Sequence, residues 1–181
     1  YDRGLMFMTK NKKITPIEFE NSGTIWTSVL GVDGLNWFGT GTGLVALKKQ
    51  KVTKVYYAED GLPGDKITTL LKLNSKTFYV GGGDGVSIYQ NGKFKPLKMN
   101  ELTTVRDFCK VDDKVYCATD KGLYLIRGNW LELVGGFKKT IYSIVKDKNN
   151  ALWIGTAEGL FCLKNDKIGQ VGFSNIPSSN Y

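Results

Sequence analysis

Residues Thr140 to Leu160 read TIYSIVKDKNNALWIGTAEGL. Ile141, Ile144 and Val145 mark a first β-strand, and Ala151 to Thr156, centred on Trp153 and Ile154, a second. Between them Asp147-Lys148-Asn149-Asn150 is polar and turn-forming. Gly155 to Gly159 then turns the chain into a strand from Leu160 to Leu163. The stretch recurs upstream without gaps, as TIWTSVLGVDGLNWFGTGTGL from Thr24, KITTLLKLNSKTFYVGGGDGV from Lys66 and TTVRDFCKVDDKVYCATDKGL from Thr103. The fourteenth position of each copy is a large aromatic: Trp37, Tyr79, Tyr116 and Trp153. The sixth is apolar: Val29, Leu71, Phe108 and Val145. Every copy closes on a glycine and an aliphatic residue, at Gly43-Leu44, Gly85-Val86, Gly122-Leu123 and Gly159-Leu160, and a partial copy, Asp2-Arg3-Gly4-Leu5, begins the chain. The spacing of these pairs, about 40 residues, is the period of a β-propeller blade.

The reading is an all-β fold of four complete four-stranded blades, at 24–57, 66–97, 103–134 and 140–173, preceded by a partial blade at 1–20. In the partial blade Gly4–Thr9 matches a third strand and Lys13–Phe19 a fourth, with no first or second strand to accompany them. The chain is therefore expected to belong to a larger propeller, or to close against a second copy or another molecule, because an open arc leaves strand edges and blade faces uncovered. A five-blade ring with one two-stranded blade is the alternative. The fourteenth-position aromatics are read as inter-blade core, with removal of Trp153 costly and removal of Trp26 much less so.

Composition narrows the function classes. The chain has 181 residues, 41% of them hydrophobic, and its 22 glycines sit at turn positions between short β-rich runs, which excludes disorder. No apolar run approaches the roughly 18 residues of a membrane span. The absence of histidine removes the commonest general base and the commonest zinc ligand, and neither metal nor cofactor is expected. Cys109 and Cys117 flank a turn at Asp112-Asp113; with that two-residue turn Cys109 faces Tyr116 and Phe108 faces Cys117, so the thiols point to opposite faces and serve as small apolar residues. The net charge is +8, and lysines such as Lys48, Lys49, Lys51, Lys93, Lys95, Lys164 and Lys167 gather at three-to-four turns and on fourth strands. Lysine on an exposed edge blocks unwanted strand pairing. Without a recognition helix or a stacking platform among the lysines, nucleic acid is not the expected partner.

Gly39-Thr40-Gly41-Thr42-Gly43 and Gly81-Gly82-Gly83-Asp84-Gly85 imitate phosphate loops, but neither opens a helix and no GK[ST] follows, so they are read as architectural turns. The third and fourth positions of the repeat vary instead: Trp26, Thr68, Val105 and Tyr142, then Thr27, Thr69, Arg106 and Ser143. These lie near the start of the innermost strand, by the mouth of the central channel. Trp26 and Tyr142 offer flat surfaces on which sugars stack, and Arg106 an anion donor; ordinary variation between blades is the competing account. Loops from strand two to three and from strand four to the next blade share that face, among them Gly135–Lys139, which adds Lys138 and Lys139 as candidate contacts.

Asp147 to Leu160 resembles the repeat of the two-component regulator propeller family: Leu152-Trp153-Ile154-Gly155-Thr156 and Gly159-Leu160 match it residue for residue, and Asn150 replaces the usual turn glycine. Gly61-Leu62-Pro63 resembles the family's inter-blade loop, and Asn175-Ile176-Pro177-Ser178 does so more loosely. In the third copy Ala118 replaces the glycine. The resemblance implies a non-catalytic sensor propeller on the periplasmic or extracellular side of a bacterial membrane receptor, in many cases of this family recognising an oligosaccharide or glycan breakdown product. It implies contact with the membrane only through a parent receptor. A protein-interaction scaffold is the second reading. A propeller lyase or hydrolase is the third, and enzymes resembling this repeat generally use a histidine that this chain lacks.

Overall fold

The structure, a computed structural model, describes residues 5–8, 11–12, 14–17 and 24–172. Strands β1 (Leu5–Met8) and β2 (Ile14–Ile17) form a two-stranded antiparallel sheet. Gly4, Thr9, Lys13 and Phe19 at the ends of the two expected strands, and the tail from 174, lie outside the described residues. Four antiparallel sheets follow, each taking four strands in chain order. Blade one is β3 (Ile25–Val32), β4 (Leu35–Thr40), β5 (Gly43–Lys48) and β6 (Lys51–Tyr56). Blade two is β7 (Ile67–Lys72), β8 (Thr77–Gly82), β9 (Gly85–Gln90) and β10 (Lys93–Pro96). Blade three is β11 (Val105–Val111), β12 (Lys114–Thr119), β13 (Gly122–Arg127) and β14 (Trp130–Leu133). Blade four is β15 (Ile141–Lys146), β16 (Leu152–Thr156), β17 (Gly159–Lys164) and β18 (Lys167–Gln170). The first strands lie side by side, β3 against β7, β7 against β11 and β11 against β15, so each blade runs from an inner first strand to an outer fourth. Among the described residues the only helix is one 3-10 turn, Ala58–Asp60.

Strand alternation gives each blade two apolar faces, and consecutive blades bury the faces they turn to each other. The face of blade one carrying Val29, Trp37, Leu44 and Ala46 packs on Ile67, Leu70, Phe78 and Val80 of blade two. Tyr79 and Val86 of blade two meet Val105, Phe108, Val115 and Cys117 of blade three. Cys109, Tyr116, Ala118 and Leu125 of blade three meet Ile141, Ile144, Leu152 and Ile154 of blade four. Cys109 pairs with Tyr116 and Phe108 with Cys117, so the two free thiols enter different inter-blade cores. Burial pushes both thiols above the ordinary cysteine range. The first interface is the most aromatic. Trp37 lies 4.8 to 5.9 Å, centroid to centroid, from Tyr56, Phe78, Tyr89 and Phe94 in tilted and edge-on contacts. Its indole N–H donates to the Val32 carbonyl at 3.1 Å.

Two glycine positions are fixed by space. The recurring glycine that opens each third strand has φ between 116° and 142°. A Cβ there would lie 2.7 Å from the Tyr56 carbonyl oxygen at Gly43 and 2.2 Å from that of Phe137 at Gly122. Near the end of the second strand, a Cβ on Gly39 would stand 2.6 Å from Cγ2 of both Thr27 and Ile67, and one on Gly81 2.6 Å from Cγ2 of Thr69. Ala118 occupies the same position in blade three because the residue paired with it, Asp107, lacks the branching methyl of Thr27 and Thr69.

Polar bonds also cross between blades. The Tyr89 hydroxyl donates to Asp33 at 2.8 Å, Lys72 donates to the Leu30 carbonyl at 2.6 Å, and Asn150 donates to Asp112 at 2.9 Å. Asp107, half-buried on β11, accepts the Ile144 backbone N–H of β15 at 3.1 Å as well as that of Phe108. Burial holds its carboxyl above the usual carboxylate range, against the opposing effect of those two donors.

The fourth blade corrects the core reading of Trp153. Its face that corresponds to the Trp37, Tyr79 and Tyr116 faces is not covered among the described residues: Val145 is 62% exposed, and Trp153 and Cys162 are only partly buried. The indole N–H of Trp153 instead donates to Asp147 at 3.1 Å, within the turn that Asp147 organises by accepting the N–H groups of Asn149 and Ala151. A tryptophan at this position is core only where a further sheet face lies on it.

Trp37→Ala is expected to cost about 3–5 kcal/mol, as for a large buried aromatic, and Trp153→Ala clearly less; denaturant melts of the two variants compare them directly. A second outcome concerns the β5–β6 turn, where Lys49 and Gln50 hold φ of 47° and 68°, a left-handed pair that suits Asn-Gly. The double change Lys49→Asn/Gln50→Gly should raise stability by about 0.5–2 kcal/mol, read as an increase in melting temperature. The third concerns Asp107. Because its folded pKa is raised, the folded state keeps a proton that the unfolded state has lost, so stability falls as pH rises from the ordinary value of 3.8 through the folded value. The melting temperature of the wild type should decline relative to that of Asp107→Asn across that window, and parallel curves would contradict this assignment.

Candidate functional site

The innermost strand of every blade breaks register at one equivalent residue near its start, and that of blade one breaks it again between Val29 and Val32. Ile25 pairs with Thr40 and Thr27 with Gly39, leaving Trp26 as the extra residue of a β-bulge. In the same way Thr68 is extra between Ile67 and Thr69, Arg106 between Val105 and Asp107, and Tyr142 between Ile141 and Ser143. The equivalent positions are thus Trp26, Thr68, Arg106 and Tyr142. The ungapped third copy misplaced this strand by one, setting Val105 beside Trp26 and Tyr142. The first hairpin of blade three is one residue shorter, turning at Asp112-Asp113, and Val105 is fully buried as the counterpart of Ile67 and Ile141. For the same reason Cys109, not Phe108, stands opposite the conserved-position aromatic Tyr116.

A bulged residue is excluded from the ladder, so its side chain is free to face outward. Trp26 is 55% exposed and Tyr142 53%. The Arg106 guanidinium lies over the Tyr142 ring, 5.3 Å from its centre, and its Nε donates to Asp120 on the β12–β13 turn. The backbone of Asp120 is tied to both blades: its N–H donates to the Thr104 carbonyl, and its carbonyl accepts the Thr140 hydroxyl at 2.9 Å. The Lys66 ammonium lies 5.7 Å from the Trp26 ring. Between these two aromatic–cation pairs, the Thr68 hydroxyl is turned to the carbonyls of Gly81 and Val105.

The adjoining turns are stiffened by side chains. Thr40, Thr119 and Thr156 donate to the carbonyls of Gly43, Gly122 and Gly159 at 2.8 to 2.9 Å and accept the N–H two residues on. Blade two has Gly82 there instead, because the loop at Pro63 fills the space: a Cβ on Gly82 would lie 2.2 Å from the Pro63 carbonyl oxygen.

Of the candidate residues, the structure joins Arg106 and Tyr142 directly. Trp26 stands two blades from Arg106, with Thr68 between them in blade order. Lys139 pairs with Glu158 and lies 5.6 Å from the Phe161 ring. Lys138 lines a separate cavity with Tyr124 and Trp130 toward the outer strands. Sequence reading missed Lys66 and Asp120, since neither occupies a repeat position that looked variable for a functional reason. The signal available was Asp120 itself, an acid where other copies have Gly41, Gly83 and Ala157. Among the described residues no cluster of three or more Cys, Asp or Glu is placed to hold a metal, and no helix is long and apolar enough to cross a membrane.

No curated protein matches the chain by sequence. Among solved structures, the extracellular domain of a B. thetaiotaomicron protein described as a hybrid two component system aligns with a TM-score of 0.74 at 22% identity, over 88% of this chain and 24% of that one. A second such extracellular domain from B. thetaiotaomicron aligns at 0.67 and 20% identity, over 84% and 23%. Virginiamycin B lyase from Staphylococcus aureus aligns at 0.67 and 13% identity, over 93% and 62%. At these identities the likeness shows the β-propeller fold, and the chain spans about a quarter of the length of the two B. thetaiotaomicron domains. Residues 135–158, the loop into blade four and its first two strands, match the two component regulator propeller family. The chain has a β-propeller fold, and its residues 135–158 are similar to the two component regulator propeller repeat.

Proposed function

We propose that this chain is a non-catalytic sensing segment of a bacterial two-component receptor, on the periplasmic or extracellular side of the membrane, and that it takes an oligosaccharide or another small anionic ligand at the channel-facing bulges. The repeat at 135–158 supports the sensor assignment. The observation that carries the site is the bulge itself: Trp26, Arg106 and Tyr142 are exposed and lie outside the strand ladders, so packing does not account for their size or charge. Arg106 is partly neutralised by Asp120, and an anionic group would bind by displacing that carboxylate or by sharing the guanidinium's remaining N–H groups. Lys138 lines the outer cavity and Lys139 is paired with Glu158, so neither is joined to this group, and they add to the surrounding positive potential.

The second reading, a protein-interaction scaffold, rests on the uncovered face of blade four, where Val145 and Trp153 offer apolar surface. The lyase fold likeness carries no catalytic residue to this chain.

Calorimetric titration of acidic and neutral oligosaccharides into the chain and into its Trp26→Ala/Arg106→Ala/Tyr142→Ala variant tests the proposal. Binding that weakens by about tenfold or more in the variant, with melting temperature nearly unchanged, is the expected result. Equal binding by both proteins would remove the channel site. Failure of every sugar, together with partner capture abolished by Val145→Asp, would favour the scaffold.

A further inference from the structure

The first residue of the fourth strand is Lys51 in blade one, Lys93 in blade two and Lys167 in blade four, each paired across its hairpin with the last residue of the third strand. In blade three that position is Trp130, opposite Arg127. A large aromatic thus stands on an outer edge where every sister blade has a solvated lysine, and it is 46% exposed. Its orientation is fixed. Lys98 forms a parallel bridge to it: the Lys98 N–H donates to the Asn129 carbonyl at 2.7 Å, and the Leu131 N–H donates to the Lys98 carbonyl at 2.9 Å. The Lys98 ammonium lies 5.5 Å from the indole centre.

Trp130 forms part of the wall of a cavity of about 750 Å³, within the range of small-ligand sites. Tyr124 and Leu131, both nearly buried, contribute apolar wall. The polar groups are Asn100, Glu101, the Arg127–Glu132 ion pair and Lys138. Glu101 is held by Lys121 at 3.0 Å. Lys138 has no hydrogen-bond or ion-pair partner among the described residues, which leaves one unneutralised cation facing the cavity.

We infer that this cavity is a second ligand site, separate from the channel bulges, for an acidic sugar whose ring stacks on Trp130 and whose carboxylate meets Lys138. The carboxylates of Glu101 and Glu132 accept from ring hydroxyls, and Asn100 can accept or donate. An aromatic ring beside paired acceptors and a free ammonium suits a hydroxylated ring with one negative charge better than a purely apolar ligand. The inference does not depend on the channel reading.

A galacturonate trimer is the probe, followed by calorimetry and tryptophan fluorescence on the whole chain. The trimer should bind, and Trp130→Ala and Lys138→Ala should each weaken it by about tenfold, while Arg106→Ala leaves it within about twofold. Both substitutions are on exposed side chains, and melting curves confirm that the variants are folded. Maltotriose, of similar size but neutral, should bind at least about tenfold more weakly, and inorganic sulfate at the same concentration should not displace the trimer. Equal affinity for maltotriose, full displacement by sulfate, no binding at millimolar trimer, or wild-type affinity in the folded Trp130→Ala and Lys138→Ala variants would each overturn the proposal. Loss of binding in Arg106→Ala alone would place the sugar in the channel, overturning this site while leaving the sensor reading intact.

Discussion

Each blade is a thin sheet with apolar side chains on both faces, and this governs everything else in the molecule. A four-stranded sheet of this kind cannot bury two faces by itself, so a blade is stable only against a neighbour. The Trp37, Tyr79 and Tyr116 faces are satisfied by the apolar rows of the blades that follow them. Stability is therefore close to a sum of interface terms between consecutive repeats rather than a property of one central core. The interfaces differ in character. The first relies on a cluster of rings around Trp37, the third on smaller side chains such as Cys109, Ala118, Leu152 and Ile154. Directional bonds set the rotation of one sheet on the next: Tyr89 to Asp33, Lys72 to the Leu30 carbonyl and the Ile144 amide to Asp107.

The architecture was legible in the sequence because the constraints repeat. An aromatic in the second strand and a glycine opening the third are imposed by the same geometry in each blade, so each copy testifies to the others. The pairing of Cys109 with Tyr116 followed from a two-residue turn at Asp112-Asp113, since turn length fixes register. The misplacement of Val105 and Arg106 came from the same source. A hairpin one residue shorter than in the other blades displaces the whole first strand by one against the second, and an ungapped comparison cannot see that displacement. Trp153 was misjudged for another reason. Its identity records what the repeat demands, whereas its burial depends on what lies against blade four.

The candidate site was legible in part. Variation at Trp26 and Tyr142 against a uniform background drew attention to the start of the innermost strands, and both are exposed there. What pattern could not supply was partnership. Asp120 reaches Arg106 from a turn fourteen residues on, and Lys66 reaches Trp26 from the next blade. Such contacts depend on how strands are laid beside one another, which the order of residues specifies only through the completed fold.

The bulges separate two tasks that most β-proteins must solve with the same residues. On an ordinary strand a change of side chain alters cross-strand packing and perturbs the ladder, so a new specificity is bound to a change in stability. Here the ladder steps over the same residue near the start of each first strand, and tryptophan, threonine, arginine and tyrosine all occupy that place on similar sheets. The inner rim thus carries one exchangeable side chain per blade on a fixed frame, with Arg106 and Tyr142 in contact across neighbouring blades. Those side chains can change one blade at a time with little penalty to folding, and tandem duplication of a blade extends the row without altering the sheets.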